Sequence, residues 1–188
     1  MNPAGKDIEI IVEKCNEGDR KAQKAFYEHF APQLYVVCLR YARTTLEADD
    51  MLQDSFVKIF TKLSDFRGES NISYWLKRIV VNTAINYYRN KLYMYPMVDV
   101  EEYQDVLKHE HVISKIQLDE LLEMLHELPE GCRVIFNLYA IEGYKHQEIA
   151  EMLKISEGTS KSQFARARQL LQEMLRQDHW GSYESIGK

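Results

Sequence analysis

The chain is poor in residues that break regular structure: 188 residues hold only 8 glycines and 4 prolines. So few turn-formers argue against a protein of many short strands and for a helical one. Cysteine is scarce too. Cys15, Cys38 and Cys132 are odd in number, far apart and without a CxxC pair. That pattern disfavours a disulfide scaffold or a zinc ribbon and fits buried thiols in a reducing cytoplasm. No apolar run approaches the roughly 20 residues of a membrane span. The start, MNPAGKDIEI, lacks the basic-then-apolar order of a secretory signal. Cytoplasmic localisation without membrane insertion is therefore expected. Also missing are GxxxxGK[ST] and GxGxxG, and no nucleophile stands with a base, so neither an enzyme nor a cofactor is expected. His109-Glu110-His111 has no third ligand at helical spacing, so no metal is expected either.

Positive charge is short overall, with 24 Lys and Arg against 29 Asp and Glu and a net charge of −5. That balance looks wrong for a nucleic-acid binder until it is resolved along the chain. From Arg67 to Leu92 there are five cations and one acid, whereas Met97 to Glu130 holds ten acids and two lysines. Phosphates respond to local potential, not to net charge.

What is present is helical periodicity. It predicts a short helix over Asp7–Cys15 and a long one over Arg20–Arg43, kinked or broken at Pro32. Leu46–Leu63 follows, with Leu52, Phe56, Ile59, Phe60 and Leu63 on one face. After a polar loop, Asp65–Asn71, comes a helix over Ile72–Lys91. Met94–Val112 loses the pattern, turns acidic and reads as a linker. Helices are predicted again over Ile113–Leu128 and Cys132–Ile141, and the tail beyond Gln177 reads as frayed. The expected fold is all-α, two small helical domains joined by an acidic linker.

Gly143–Leu171, GYKHQEIAEMLKISEGTSKSQFARARQLL, carries the strongest functional pattern. Ile149, Ala150 and Leu153 make an apolar stripe on a first helix, Ile155 closes a turn, and Ser156 suits an N-cap. Phe164, Ala167, Leu171 and Leu175 line one face of a second helix. Thr159, Ser160, Lys161, Ser162, Gln163 and Arg166 are expected to face outward. No acid occurs from Gly158 to Gln172. This is the design of a helix-turn-helix whose second helix enters the major groove. An amphipathic hairpin with a solvated basic side is the plainer alternative.

A second pattern is Phe66–Lys91, FRGESNISYWLKRIVVNTAINYYRNK. A helical wheel puts Tyr74, Lys77, Arg78, Val81, Ile85, Tyr88 and Arg89 outward, with Asn82 and Asn86 flanking. Cations, rings and amides together suit single-stranded nucleic acid: phosphates pair, bases stack, amides read edges. A helix packed on both sides would explain the same residues without a ligand.

EADDMLQDSFVKIFTKL, the Phe66–Lys91 segment and LHELPEGCRVIFNLYAIEGYKHQEIAEMLKISEGTSKSQFARARQLLQEML, in this order and spacing, resemble a bacterial RNA polymerase sigma factor of the sigma-70 family. The likeness is to the extracytoplasmic-function (ECF) subfamily, which keeps only regions two and four. It implies region two over 7–93, a linker over 94–112 and region four over 113–177. Core polymerase is implied as partner, through the clamp helices of the largest subunit and the flap of the second-largest, together with promoter DNA and an anti-sigma protein. Asp50, Gln53 and Asp54 are then the core-binding residues. Arg67, Asn71, Tyr74, Lys77, Arg78, Asn82, Asn86 and Arg89 would capture melted minus-ten DNA. Thr159, Ser160, Lys161, Gln163, Phe164, Arg166 and Arg168 would read the minus-thirty-five duplex. Where the family commonly has SEGTVKSRLHRAR this chain has SEGTSKSQFARAR, so Ser160, Gln163 and Ala165 stand for valine, arginine and histidine. Lys145 replaces a frequent capping Ser or Thr, which implies a weaker helix start. A self-sufficient, dimeric helix-turn-helix regulator is the alternative function, and an enzyme acting on nucleic acid a more distant one.

Overall fold

Helix caps and apolar stripes divide the chain into eight α-helices, with no strand among the described residues of this computed structural model, which are 3–68, 71–94 and 118–184. Most of the predicted linker, together with His109 and His111, lies outside them. Two compact units result, Met1–Tyr87 and Tyr88–Lys188.

The first unit begins with α1 (Pro3–Asn16), which ends where Gly18 takes φ 84° and the Asp19 N–H reaches back to the Lys14 carbonyl. Glycine meets that left-handed geometry without a Cβ penalty. Asp19 then caps α2 (Arg20–Tyr41), its carboxylate accepting the Lys21 and Ala22 N–H groups. Of the expected kink or break at Pro32, a break does not occur: helix α2 runs continuously through it. Pro32 lies on the exposed side, while Phe30, Ala31 and Leu34 hold the helix to the core.

Thr44 caps α3 (Thr45–Lys62) through the Glu47 N–H, and the Glu47 carboxylate returns to the Arg43 N–H at 2.8 Å. Helix α3 packs on α2. Phe26, Phe30, Phe56 and Phe60 join in ring contacts of 4.6–5.9 Å between centroids. Aromatic pairs of this kind add about 0.5–1.5 kcal/mol each beyond their area burial. A 3-10 turn, Leu63–Asp65, leads to the loop before α4 (Ile72–Met94).

In the second unit α5 (Leu118–Glu127) and α6 (Glu130–Phe136) are separated at Pro129, and α6 continues as a π-helical segment, Asn137–Ile141. Gly143, at φ 81°, turns the chain into α7 (His146–Leu153). Helix α8 (Glu157–Glu184) packs on α6 and α7. Its core comprises Met124, Leu125, Leu128, Cys132, Phe136, Ala167 and Leu171, with Phe164 and Leu175 half-buried at its edge. The tail expected to fray past Gln177 is helical to Glu184. All three cysteines are buried and free. Burial pushes the Cys38 thiol up to about 12 and the Cys132 thiol up to about 11.

Candidate nucleic-acid interface

Helix α4 starts on an asparagine. Asn71 Oδ1 accepts the Ser73 N–H at 2.8 Å, so this side chain caps the helix while remaining exposed. Gly68, at φ 72°, bends the loop before it, and Phe66 packs on Trp75 at 5.5 Å. Arg67 is exposed on that loop. Along the helix Tyr74, Arg78, Asn82 and Asn86 are exposed at intervals of four residues, and Tyr74 is the most open, at 63%. An aromatic ring, a guanidinium and two amides thus form one continuous stripe.

That stripe is rotated from the one expected. Val81, Ile85 and Tyr88 are buried, and Lys77 and Arg89 are half-buried. Their apolar neighbours explain it: Leu76, Val80 and Ala84 alone would leave a broad wet face, but Val81, Ile85 and Tyr88 carry too much apolar surface to stay in water. Helix α4 is also tied to α3. Tyr87 donates to Asp54 Oδ2 and Lys58 donates to Thr83 Oγ1, each at 3.1 Å. Burial, reinforced by the Asp54 carboxylate and then by Asp50 and Glu47, raises the Tyr87 phenol above its ordinary range.

The outer face of α3 is mixed rather than simply acidic. Asp50, Gln53 and Asp54 are exposed, and so are Leu46 at 69% and Val57 at 67%. Positions 46, 50, 53, 54 and 57 share one helical face. Sequence reasoning had not singled out Leu46 and Val57. Their signal was present, because both fall off the stripe of Leu52, Phe56 and Ile59.

In the second unit Ser156 caps α8, accepting the Thr159 N–H at 2.9 Å. Lys154 ends α7 in the left-handed conformation, φ 57° and ψ 45°. Lys145 has no side-chain acceptor, so only half of a capping box forms: Glu148 Oε2 accepts the Lys145 N–H at 2.7 Å. Ile149 and Leu153 are buried as expected.

Helix α8, however, faces differently from its expected pose. Ser160 is 0% exposed and Gln163 5%, and Thr159 is buried as well. Ser160 Oγ lies 2.9 Å from His146 Nδ1, and Gln163 Oε1 accepts from Cys132 Sγ at 3.0 Å. Thr159 Oγ1 lies 2.7 Å from Ser156 Oγ. These three are small or uncharged enough to be enclosed once each has a partner. They do not belong to the outward face. Lys161 is exposed and paired with Glu157 at 2.8 Å, which holds the Glu157 carboxyl below its usual range. Arg166 and Arg168 are half-buried, and the Arg168 guanidinium lies 6.0 Å from the Phe164 ring centre. Phe164 sits among Phe136, Tyr139 and His146. The outward set is therefore Lys161, Ser162, Ala165, Arg166, Arg168 and Gln169.

A helix-turn-helix unit and a second unit with a ring, cation and amide stripe define a DNA-binding class of protein. Known families agree. Residues 26–92 match Sigma-70 region 2 and residues 118–171 match Sigma-70, region 4. The chain belongs to the sigma-70 family. It is 29% identical to the ECF RNA polymerase sigma-E factor of Haemophilus influenzae, over 89% of this chain and 94% of that one. It is 28% identical to the RNA polymerase sigma-H factor of Pseudomonas aeruginosa, over 88% and 92%. Among solved structures it is similar to the sigma factor RpoE of Bartonella quintana, crystallised with the anti-sigma factor NepR. That match has 25% identity and a TM-score of 0.49, and it covers 81% of this chain and 96% of that one. The Haemophilus influenzae relative is an ECF factor, and the function that goes with the family is that of a sigma factor in transcription initiation.

Proposed function

We propose that the chain is a non-catalytic, cytoplasmic specificity subunit that binds core RNA polymerase and contributes two promoter anchors. Region two corresponds to residues 7–93 and region four to 113–177, joined by 94–112. In region two, Tyr74, Arg78, Asn82 and Asn86, with Arg67 and Asn71 from the loop, hold the melted minus-ten strand. Extruding a base costs a few kcal/mol, which stacking on Tyr74 and pairing with the cations offset. In region four, Lys161, Arg166 and Arg168 approach the minus-thirty-five duplex, phosphate contacts setting register and base contacts setting preference. The mixed face Leu46–Asp50–Gln53–Asp54–Val57 docks on the clamp helices of the largest subunit. The flap of the second-largest subunit takes region four.

The observation that carries this reading is the unbroken exposed stripe from Tyr74 to Asn86, in a chain that also holds a helix-turn-helix. A self-sufficient regulator would have no use for a strand-binding stripe beside its duplex reader. Family membership further supports an anti-sigma protein that holds the free chain inactive. Run-off transcription tests the whole. Purified chain added to core polymerase should yield transcripts from a subset of a genomic promoter library. No promoter-specific transcript, or tight promoter binding by the isolated chain with no gain from core, would refute it.

A further inference from the structure

Ser160 and Gln163 set this chain apart from the commoner family motif, yet both point inward, so their effect on DNA is indirect. Ser160 meets His146, the first residue of α7, with 2.9 Å between Oγ and Nδ1. Two rings flank the partly buried imidazole. Tyr139, from the π-helical segment, stacks on it at 4.2 Å and 15°, and Phe164 of α8 meets it at 5.7 Å and 62°. Tyr139 and Phe164 also touch each other, at 4.5 Å. His146 thus stands where the first helix, the π-helical segment and the recognition helix converge.

We propose that neutral His146 is a positioning residue that sets the recognition helix on the first helix, so that duplex binding by this unit weakens on mild acidification. The inference rests on α8 being the duplex-reading helix. In the neutral tautomer with its proton on Nε2, the ring accepts the Ser160 hydroxyl at Nδ1. A second proton removes that acceptor and reverses the bond, Nδ1–H donating to Ser160 Oγ, and it places a cation between the Tyr139 ring and the half-buried Phe164 ring. The charged groups facing the ring from α8 are Lys161, which opposes the imidazolium, and Glu157, which favours it. Arg168 lies beyond Phe164 on the same helix. From the π-helical segment comes the Tyr139 phenol, whose ring face attracts a cation and offsets part of the loss. Lys145 and Glu148 flank His146 on its own side and are engaged with each other through the Lys145 N–H.

Burial first, and Lys161 second, lower the His146 pKa below its ordinary value of 6.5. The unfolded chain then binds more protons than the folded one in this range. The stability the neutral ring contributes is whole above that ordinary value and is lost as pH falls below it toward the folded value.

The test uses the full chain with core polymerase. A duplex is first selected from a randomised library at about pH 8, and its affinity is followed down to about pH 5.5. Wild type, His146→Leu, His146→Gln and Ser160→Val are compared on the same core, so that the polymerase's own titrations cancel. Wild type should lose severalfold more affinity on acidification than His146→Leu. His146→Gln, whose amide oxygen can accept the same hydroxyl, should keep most of the high-pH affinity and lose the extra pH dependence. His146→Leu matching wild type in both affinity and pH profile would overturn the proposal. A second arm needs no DNA: the His146 titration is read by NMR in the full chain, wild type against Ser160→Val. A lowered titration that shifts in Ser160→Val supports the helix pin. An ordinary titration, identical in both, overturns it. If the library returns no preferred duplex, the duplex-reading assignment fails, and the NMR arm still judges the pin.

Discussion

Replacing Lys154 by glycine should stabilise the helix-turn-helix. Lys154 ends α7 at φ 57° and ψ 45°, and it is the one non-glycine residue with positive φ among the described residues. Its N–H and that of Ile155 both reach the Ala150 carbonyl, so the turn needs this conformation. The left-handed region costs a residue with a Cβ roughly 1–2 kcal/mol. Glycine escapes that cost but gives back roughly 0.5–1 kcal/mol through its freer unfolded chain. The net expectation is a gain of about 0.5–1 kcal/mol for the second unit, or a few degrees in its melting temperature. The Lys154 side chain is exposed, so no packing is lost. Lys154→Ala is the control: alanine has the same Cβ, and its stability should stay within about 0.5 kcal/mol of wild type. Hydrogen exchange of the α7 and α8 amides in the full chain reports the second unit separately from the first. Lys154→Gly no more protected than wild type, or Lys154→Ala gaining as much as glycine, would refute the strain argument.

Further outcomes follow from the same structure. Leu125→Ala removes a fully buried side chain from the second core and should cost about 2–5 kcal/mol in urea unfolding; a loss under about 1 kcal/mol would mean that core is misassigned. Leu46→Asp with Val57→Asp should sharply weaken core-polymerase pull-down without changing the circular dichroism spectrum, and an unchanged pull-down would remove that face of α3 from docking. Lys161→Ala with Arg166→Ala should reduce holoenzyme binding to its promoter by about 1–3 kcal/mol for a base-edge contact, or by a smaller, salt-sensitive amount for phosphate; unchanged transcription would show that the wrong face was chosen. All three thiols should resist alkylation in the native chain at about pH 8 and react on unfolding, because burial keeps them as thiols. Rapid native labelling of Cys38 would contradict its burial.

Much of this protein was legible in the sequence because helices report themselves locally. The apolar stripe Leu52–Phe56–Ile59 and the Ser156 cap appear in the structure as periodicity and capping chemistry require, and the predicted helices are recovered to within a few residues wherever they are described. The all-α class needed no long-range information, since glycine, proline and strand alternation were all sparse. The family was legible for a similar reason, being carried by motifs in a fixed order.

Which way each polar side chain points was a different matter. A helical wheel gives the angle between residues and leaves open how many neighbours the helix has. For α4 the wheel offered Val81, Ile85 and Tyr88 as an outer face. Burial on that side moved the wet stripe to Tyr74, Arg78, Asn82 and Asn86. For α8 it offered Ser160 and Gln163 as base readers. Their partners, His146 and Cys132, lie 14 and 31 residues away in the chain and take both side chains inward. By itself the sequence determined that two helical units would form and that one would carry a helix-turn-helix, because those outcomes depend on spacing within a helix. Only the tertiary structure decided which residues each unit presents to DNA, because that depends on hydrogen bonds and burial between helices.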